Sequence, residues 1–376
     1  MSIFVHELKK VLLSPMLIVF LALCIGFNLI GIGGAYDDYA DYVAGASKIV
    51  GYKLGAEFDE KITALEPCEM KDWLIEDTAG ITDVFDGYDT AYIADAYIKN
   101  LGLTGYAANA TRSKYEKLQN SVNAKAETGE SMTLYFASAT TYKHDHLYYN
   151  TMLFLILQCG LLAALIMLLS VGYEHHSRTT HTVYSTKVGR KIMRYKMFAS
   201  LTAGIVAFVV LTSLTLAVYF AANDYSNIWG SSVSSGFHMI NDLLVGGERP
   251  FVTWQSFSVL TYLLAALGIT ALLTVCFGLM AFVIGILLKN TYISFLIFMI
   301  INAGCIAFAL AFSGAPQYVA VLSPVWLWIK RGLWFTDGGS DILWKNFETT
   351  GGFASFLILV VFGLISAVLF RKRDIA

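Results

Sequence analysis

The chain has 376 residues and a formal net charge of −2, with 56% hydrophobic and only 14% charged residues. Soluble domains average about 25% charged, and here the charge is also missing altogether from long windows. Such a composition excludes a conventional soluble domain over most of the length and gives no basic surplus for gripping nucleic acid.

The chain opens on "IFVHELKKVLLSPMLIVF", a basic amphipathic segment with Glu7, Lys9 and Lys10 that runs into an apolar window over 11–36. The window is long and lacks a small-residue cleavage site, so it reads as an uncleaved signal anchor. From 37 to 146 the chain turns polar and acidic, with 19 Asp and Glu against 10 Lys and Arg, a net of −9. About 110 residues suffice for a small domain. "SKIVGYKLGAEFDEKITAL" and "TRSKYEKLQNSVNAKAE" within it read as helical. Asp83, Asp86 and Asp89 lack the alternate acids and distal Glu of a calcium loop, and read as helix caps.

A second apolar window (147–173) ends at Glu174. It is followed by "EHHSRTTHTVYSTKVGRKIMRYK", the densest polar run in the chain. His175 and His176 differ by about 100° on a helix and cannot both face a metal with His181, and no Cys lies nearby, so a zinc site is disfavoured. Val183, Tyr184 and the Lys and Arg that follow read as a short amphipathic helix. It serves either as a surface helix anchored by snorkelling side chains or as a docking helix. A third window covers 197–223.

The fourth and fifth windows, 251–288 and 291–329, are too long for one crossing of a hydrocarbon core about 30 Å thick at 1.5 Å per residue. The fourth helix is expected to begin near Ser256, with 251–255 at the membrane interface. The fifth is expected over about 291–312. Pro316, Pro324 and the aromatics Trp326, Trp328 and Trp334 then imply short re-entrant or interfacial pieces within 313–350. A sixth window covers 353–370, before the close "LFRKRDIA".

The expected architecture is an all-α polytopic membrane protein with six transmembrane helices. A mainly helical extracellular domain (37–146) is inserted between helices 1 and 2, preceded by the N-terminal segment (1–36) and followed by helices 2 to 6 (147–376). Twelve Lys and Arg fall on the side shared by both termini and the loop at 174–196, against four on the opposite short connections. The positive-inside rule makes the first side cytoplasmic. That rule accounts for the basic residues, so no nucleic-acid partner is expected. Cys24, Cys159, Cys276 and Cys305 lie in apolar windows and leave Cys68 alone, which argues against a disulfide framework.

No catalytic signature is present. There is no G-x-x-x-x-G-K-[ST] phosphate loop, no G-x-S-x-G, and His6-Glu7 lacks the second His of a zinc helix. No ionisable residue lies inside the six windows, which argues against a proton-driven carrier. Asn28, Gln158 and Asn302 are the notable polar residues there. They read as interhelical hydrogen bonds or as the lining of a pathway.

These residues resemble the permease subunits of ABC-2-type transporters, the bacterial kind whose ATPase is a separate polypeptide. The likeness rests on the basic opening segment with Glu7, on the series Glu174, Thr179-Thr180, "YSTKVGR" and Lys196, on the Arg-rich close, and on the layout of the spans. The large insert between spans one and two resembles the subgroups linked to peptide, lantibiotic or drug export and resistance. The resemblance implies a bacterial plasma-membrane protein with both termini cytoplasmic that is not itself an enzyme. ATP and Mg would sit on a partner nucleotide-binding subunit, and a second copy or a sister permease would complete the pathway among membrane lipid. Cargo would be amphipathic or hydrophobic. The loop at 174–196 would be the coupling helix, with Glu174, Arg178, Thr186 and Arg190 making the contact and the histidines as interface residues. The competing reading is a sensor or immunity protein whose acidic outer domain captures a cationic antimicrobial peptide by electrostatic steering.

Overall fold

The computed structural model describes residues 3–33, 37–186, 188–288, 290–312 and 318–372. Lys187, Lys289, Pro316 and Arg373, on which parts of the sidedness and re-entrant expectations rest, lie outside them. The chain is 73% helical, and six helices are long and apolar enough to cross a membrane.

The first helix, α1 (Ile3–Leu12), buries Glu7 and Val11, one turn apart. Ser14 breaks it, and α2 (Pro15–Ile32) begins with proline at its first position, where a missing N–H costs nothing. Its 18 residues make about 27 Å, close to one crossing. The second apolar window lies within a longer helical run, residues 137–176. It comprises α8 (Thr140–His144), a π-helical stretch (Asp145–Thr151) and α9 (Met152–His176). Next come the short α10 (Thr180–Tyr184) and then α11 (Ile192–Ala222). The helix α12 (Val259–Leu287) starts with a reciprocal capping box between Ser258 and Thr261. In α13 (Thr291–Ala311), the Asn290 side chain accepts the amides of Tyr292 and Ile293. The chain then forms α14 (Pro324–Ile329) and α15 (Phe347–Lys372).

In the bundle α9 and α12 are central, with 67% and 72% of their apolar windows buried, against 22%, 22% and 17% for α2, α13 and α15. They pack on each other across Gly160, where a Cβ would come within 2.8 Å of the Phe277 ring. Small residues let membrane helices approach this closely.

The polar insert forms α3 (Asp38–Val50), α4 (Ala56–Thr63), α5 (Glu69–Thr78), α6 (Ala91–Leu101) and α7 (Gly105–Thr128). It does not close its own core. Phe85, Ile93, Tyr97, Tyr115, Leu118 and Val122 pack with Val252 and Trp254 from the connection between α11 and α12. That connection also carries a hairpin, β1 (Met239–Asp242) against β2 (Gly247–Pro250), paired Met239 to Pro250, a small departure from an all-helical chain. Residues 251–254, expected at the membrane interface, are buried within this connection. Phe251 stacks on His238 with centroids 4.1 Å apart, and the Trp254 indole N–H donates to the Thr336 carbonyl at 2.6 Å. The surplus of the fourth window is spent on this cap over the bundle.

The piece after α13 is spent the same way. Trp326 and Trp334 are buried. Trp328 donates to the Leu153 carbonyl at 2.9 Å, and Arg331 donates to the Tyr149 carbonyl. Both acceptors lie in or next to the π-helical stretch, whose widened turns leave carbonyls out of the regular ladder. Three chain segments are then locked by one buried ionic network. Arg249 reaches Asp242 at 2.9 Å and both oxygens of Asp337 at 3.1 Å. Tyr97 donates to Asp242, and Tyr115 donates to Asp337. Lys114 donates to the carbonyls of Asp337, Gly339 and Ile342.

Candidate functional site

At the bundle end opposite the cap, the loop between α9 and α11 is held by its own stem. Glu174 and Lys196, 22 positions apart, form a direct ion pair in which neither side chain is more than 3% exposed. Lys196 also donates to the Ser170 carbonyl. Glu7 of α1 lies 3.9 Å from Lys196, and Lys10 lies 3.7 Å from Glu174. The Lys10 ammonium sits 3.2 Å from the centre of the Tyr173 ring. Two lysines and two glutamates thus neutralise one another where α1, α9 and α11 meet. Burial of the quartet is tolerable because every charge has an opposite partner.

Between the clasped ends the loop is exposed. α9 closes with the bonds of a Schellman motif, Thr179 N–H to the Glu174 carbonyl at 2.9 Å and Arg178 N–H to the His175 carbonyl at 3.2 Å. The residue between cap and return is normally glycine, because it must turn left-handed. Here it is Arg178, at φ 56°, and its side chain is exposed. His175, His176 and His181 are exposed beside it. Among the described residues no group of three or more His, Cys, Asp or Glu is placed to hold a metal ion.

The amphipathic helix expected from Val183 onward is not continuous. α10 is five residues long, and Thr186 ends it by donating to the Val183 carbonyl and accepting from Gly189 N–H. Gly189 turns left-handed at φ 49°. From Ile192 the chain already belongs to α11. Arg190 donates to the carbonyls of Phe370 and Arg371 at 3.4 and 2.7 Å, a cation capping the C-terminal end of α15. Tyr184 packs edge-on against Phe370, and burial pushes its hydroxyl up to about 12.

The four residues expected to meet a partner therefore divide. Arg178 and Thr186 are exposed. Glu174 is buried and engaged within the chain, and Arg190 is turned toward α15. Lys10, Tyr173 and Lys196 belong to the arrangement, although the composition of the loop alone does not single them out. The available signal was Lys196, a lysine entering a long apolar run.

The intramembrane amides also divide. Asn28 and Gln158 bond each other reciprocally at 2.9 and 2.8 Å, and Asn28 donates to Thr215 at 2.9 Å, so α2, α9 and α11 are joined at mid-bundle. Asn302 donates within its own helix to Phe298 and to Met280 sulfur, and its carbonyl oxygen has no partner among the described residues. No protein-family model, curated protein or solved structure matches the chain.

Proposed function

We propose that the chain is the membrane-spanning subunit of an exporter driven by a separate ATPase, and that its cargo is amphipathic or hydrophobic, such as an antimicrobial peptide, a drug or a lipid-like molecule. The observation that carries this reading is an exposed loop on a stem that cannot yield. A loop conveys force to a bundle only if its ends are fixed. Here the Glu174–Lys196 pair fixes them to each other and to α1, and Arg190 fixes the loop to α15. Arg178 and Thr186, with the neighbouring histidines, would contact the ATPase, while Glu174 and Arg190 would act as positioning residues. ATP and Mg would bind to the partner, and a second permease copy would complete the pathway.

Purification of the tagged chain from its native membrane tests the idea. The wild type is expected to bring down an ATPase subunit, and Arg178→Glu to lose it while folding normally. A wild type that brings down no ATPase overturns the proposal and favours the sensor reading, in which the acidic outer segment captures a cationic peptide.

A further inference from the structure

α2 and α13 flank α9, and at the clasped end a cavity of about 640 Å³ lies between them, within the size range of small-molecule sites. Its floor is a stripe on α9 formed by Leu161, Leu165, Leu169 and Tyr173, four residues apart throughout. This stripe is about 18 Å long, close to the depth of one leaflet of a core about 30 Å thick. Met16 of α2 and Tyr292 of α13 line the sides and are 49% and 74% exposed, so the cavity opens sideways, toward lipid. At its polar end stand Lys10 and His176.

The chemistry of the two ends differs. The floor and sides are apolar over a leaflet's depth, whereas the end is cationic. Lys10 meets its carboxylates at 3.5 and 3.7 Å, longer than a close ion pair, and its side chain is 20% exposed, so it stays open to a further anion. In the sequence, the termini and loops assigned to this side hold twelve Lys and Arg against Glu7, Glu174 and Asp374. Such juxtamembrane charge attracts anionic lipid.

We infer that the cavity holds one acyl chain of an anionic phospholipid, with the phosphate beside Lys10. Lys10 also belongs to the ionic quartet at the loop stem, so occupancy of the groove and the set of the stem share one side chain. The inference needs only a membrane around the six helices and does not depend on an ATPase.

Photo-crosslinking tests it. The chain carrying p-benzoylphenylalanine at Leu165 is reconstituted in vesicles of equal parts phosphatidylglycerol and phosphatidylcholine, and the adduct is identified by mass. Phosphatidylglycerol is expected in excess by about fivefold, the preference one lysine near a charged surface confers. Lys10→Gln should abolish the excess while leaving the yield of lipid adduct, and Lys9→Gln, on an exposed side chain outside the cavity, should retain it. Equal adducts with both lipids in the wild type overturn headgroup recognition. Adducts to a second copy of the chain show that the groove is an interface between copies, and an absence of lipid adduct shows that no acyl chain enters. The vesicles contain no ATPase, so any of these failures leaves the exporter reading untouched.

Discussion

Replacing Asp337 with Asn should loosen the cap. The side chain is 1% exposed and faces Arg249 at 3.1 Å, Lys114 at 4.0 Å and the Tyr115 hydroxyl. Asn keeps the shape but leaves Arg249 with Asp242 alone and Lys114 with only the weaker pull of Asp341. Removing one partner of a buried pair costs about 3–5 kcal/mol. The electrostatics of the carboxyl point the same way. Burial alone would push the Asp337 carboxyl up, but Arg249, Lys114 and Tyr115 outweigh it and hold the group at about 2, against 3.8. That stabilisation is complete above about pH 4, is lost as pH falls through about 2, and is worth roughly 2 kcal/mol. Lys114 behaves oppositely, since burial pushes it down to about 8 from 10.5. Its charge is therefore a cost below pH 8, relieved as pH rises toward 10.5, and Lys114→Met should cost less than Asp337→Asn. The assay is unfolding in detergent, paired with limited proteolysis of the 37–146 segment. Asp337→Asn is expected to fall by about 3–5 kcal/mol, and Arg249→Met/Asp337→Leu to recover part of it, because matched removal takes out one charge of each sign and keeps the network balanced. A single variant within about 0.5 kcal/mol of wild type, or a double variant worse than the single, refutes charge compensation as the source of the lock.

The remaining predictions concern the stem, the bundle and the joint beneath the cap. Arg178→Gly should raise stability by about 0.4–1 kcal/mol, because glycine suits the left-handed turn, yet weaken ATPase retention; equal retention would show that the arginine is not a contact. Glu174→Ala should destabilise by about 3–5 kcal/mol and Glu174→Leu/Lys196→Met by much less, measured by thermal unfolding. In the bundle, Asn28→Leu and Gln158→Leu should each cost about 0.6–2 kcal/mol, and the double variant should cost clearly less than their sum, since both remove the same bonds. Burial pushes His238 down to about 4 from 6.5, with the Val233 carbonyl opposing. Because the unfolded chain takes up the proton first, its contribution to stability is full above pH 6.5 and falls by roughly 3 kcal/mol toward pH 4. His238→Phe should flatten that slope in unfolding midpoints measured against pH.

The spans were legible because a charge-free run of twenty residues has few alternatives to a crossing helix. Their ends were not. The 137–146 stretch reads as polar through Lys143, His144 and Asp145, yet it extends the helix of the second window, with Lys143 neutralised by Asp41 at 3.1 Å and bonded to Asn223 at 2.9 Å. Phe251 and the tryptophans of the fifth window carry an interfacial composition, but their burial depends on the cap, whose core joins segments more than a hundred residues apart. At the stem, Glu174 stood out in the sequence as a charged residue on a loop. Only the fold brings it to Lys196 and α1, and this turns a surface contact into a buried clasp. No spacing rule links residues at 7, 174 and 196.

The distribution of these fastenings says which parts of the bundle move together. The α8–α9 run and α11 are tied at three heights, through Lys143 and the Asn223 cap of α11 at the outer cap's end, through Gln158, Asn28 and Thr215 at mid-bundle, and through Glu174 and Lys196 at the loop. α2 joins them at the middle height, and α1 at the loop. α13 has no comparable polar tie to this unit among the described residues, and most of its apolar window is unburied. A displacement applied at Arg178 would therefore carry α1, α2, α9 and α11 as one body together with α12, which packs on α9, and its yielding seam would run between that body and α13. The cavity floored by Leu161, Leu165 and Leu169 lies on that seam. Its volume is thus the quantity that a push on the loop should change first, and the Leu165 photo-crosslink, repeated with the loop restrained by a bound partner, would read it directly.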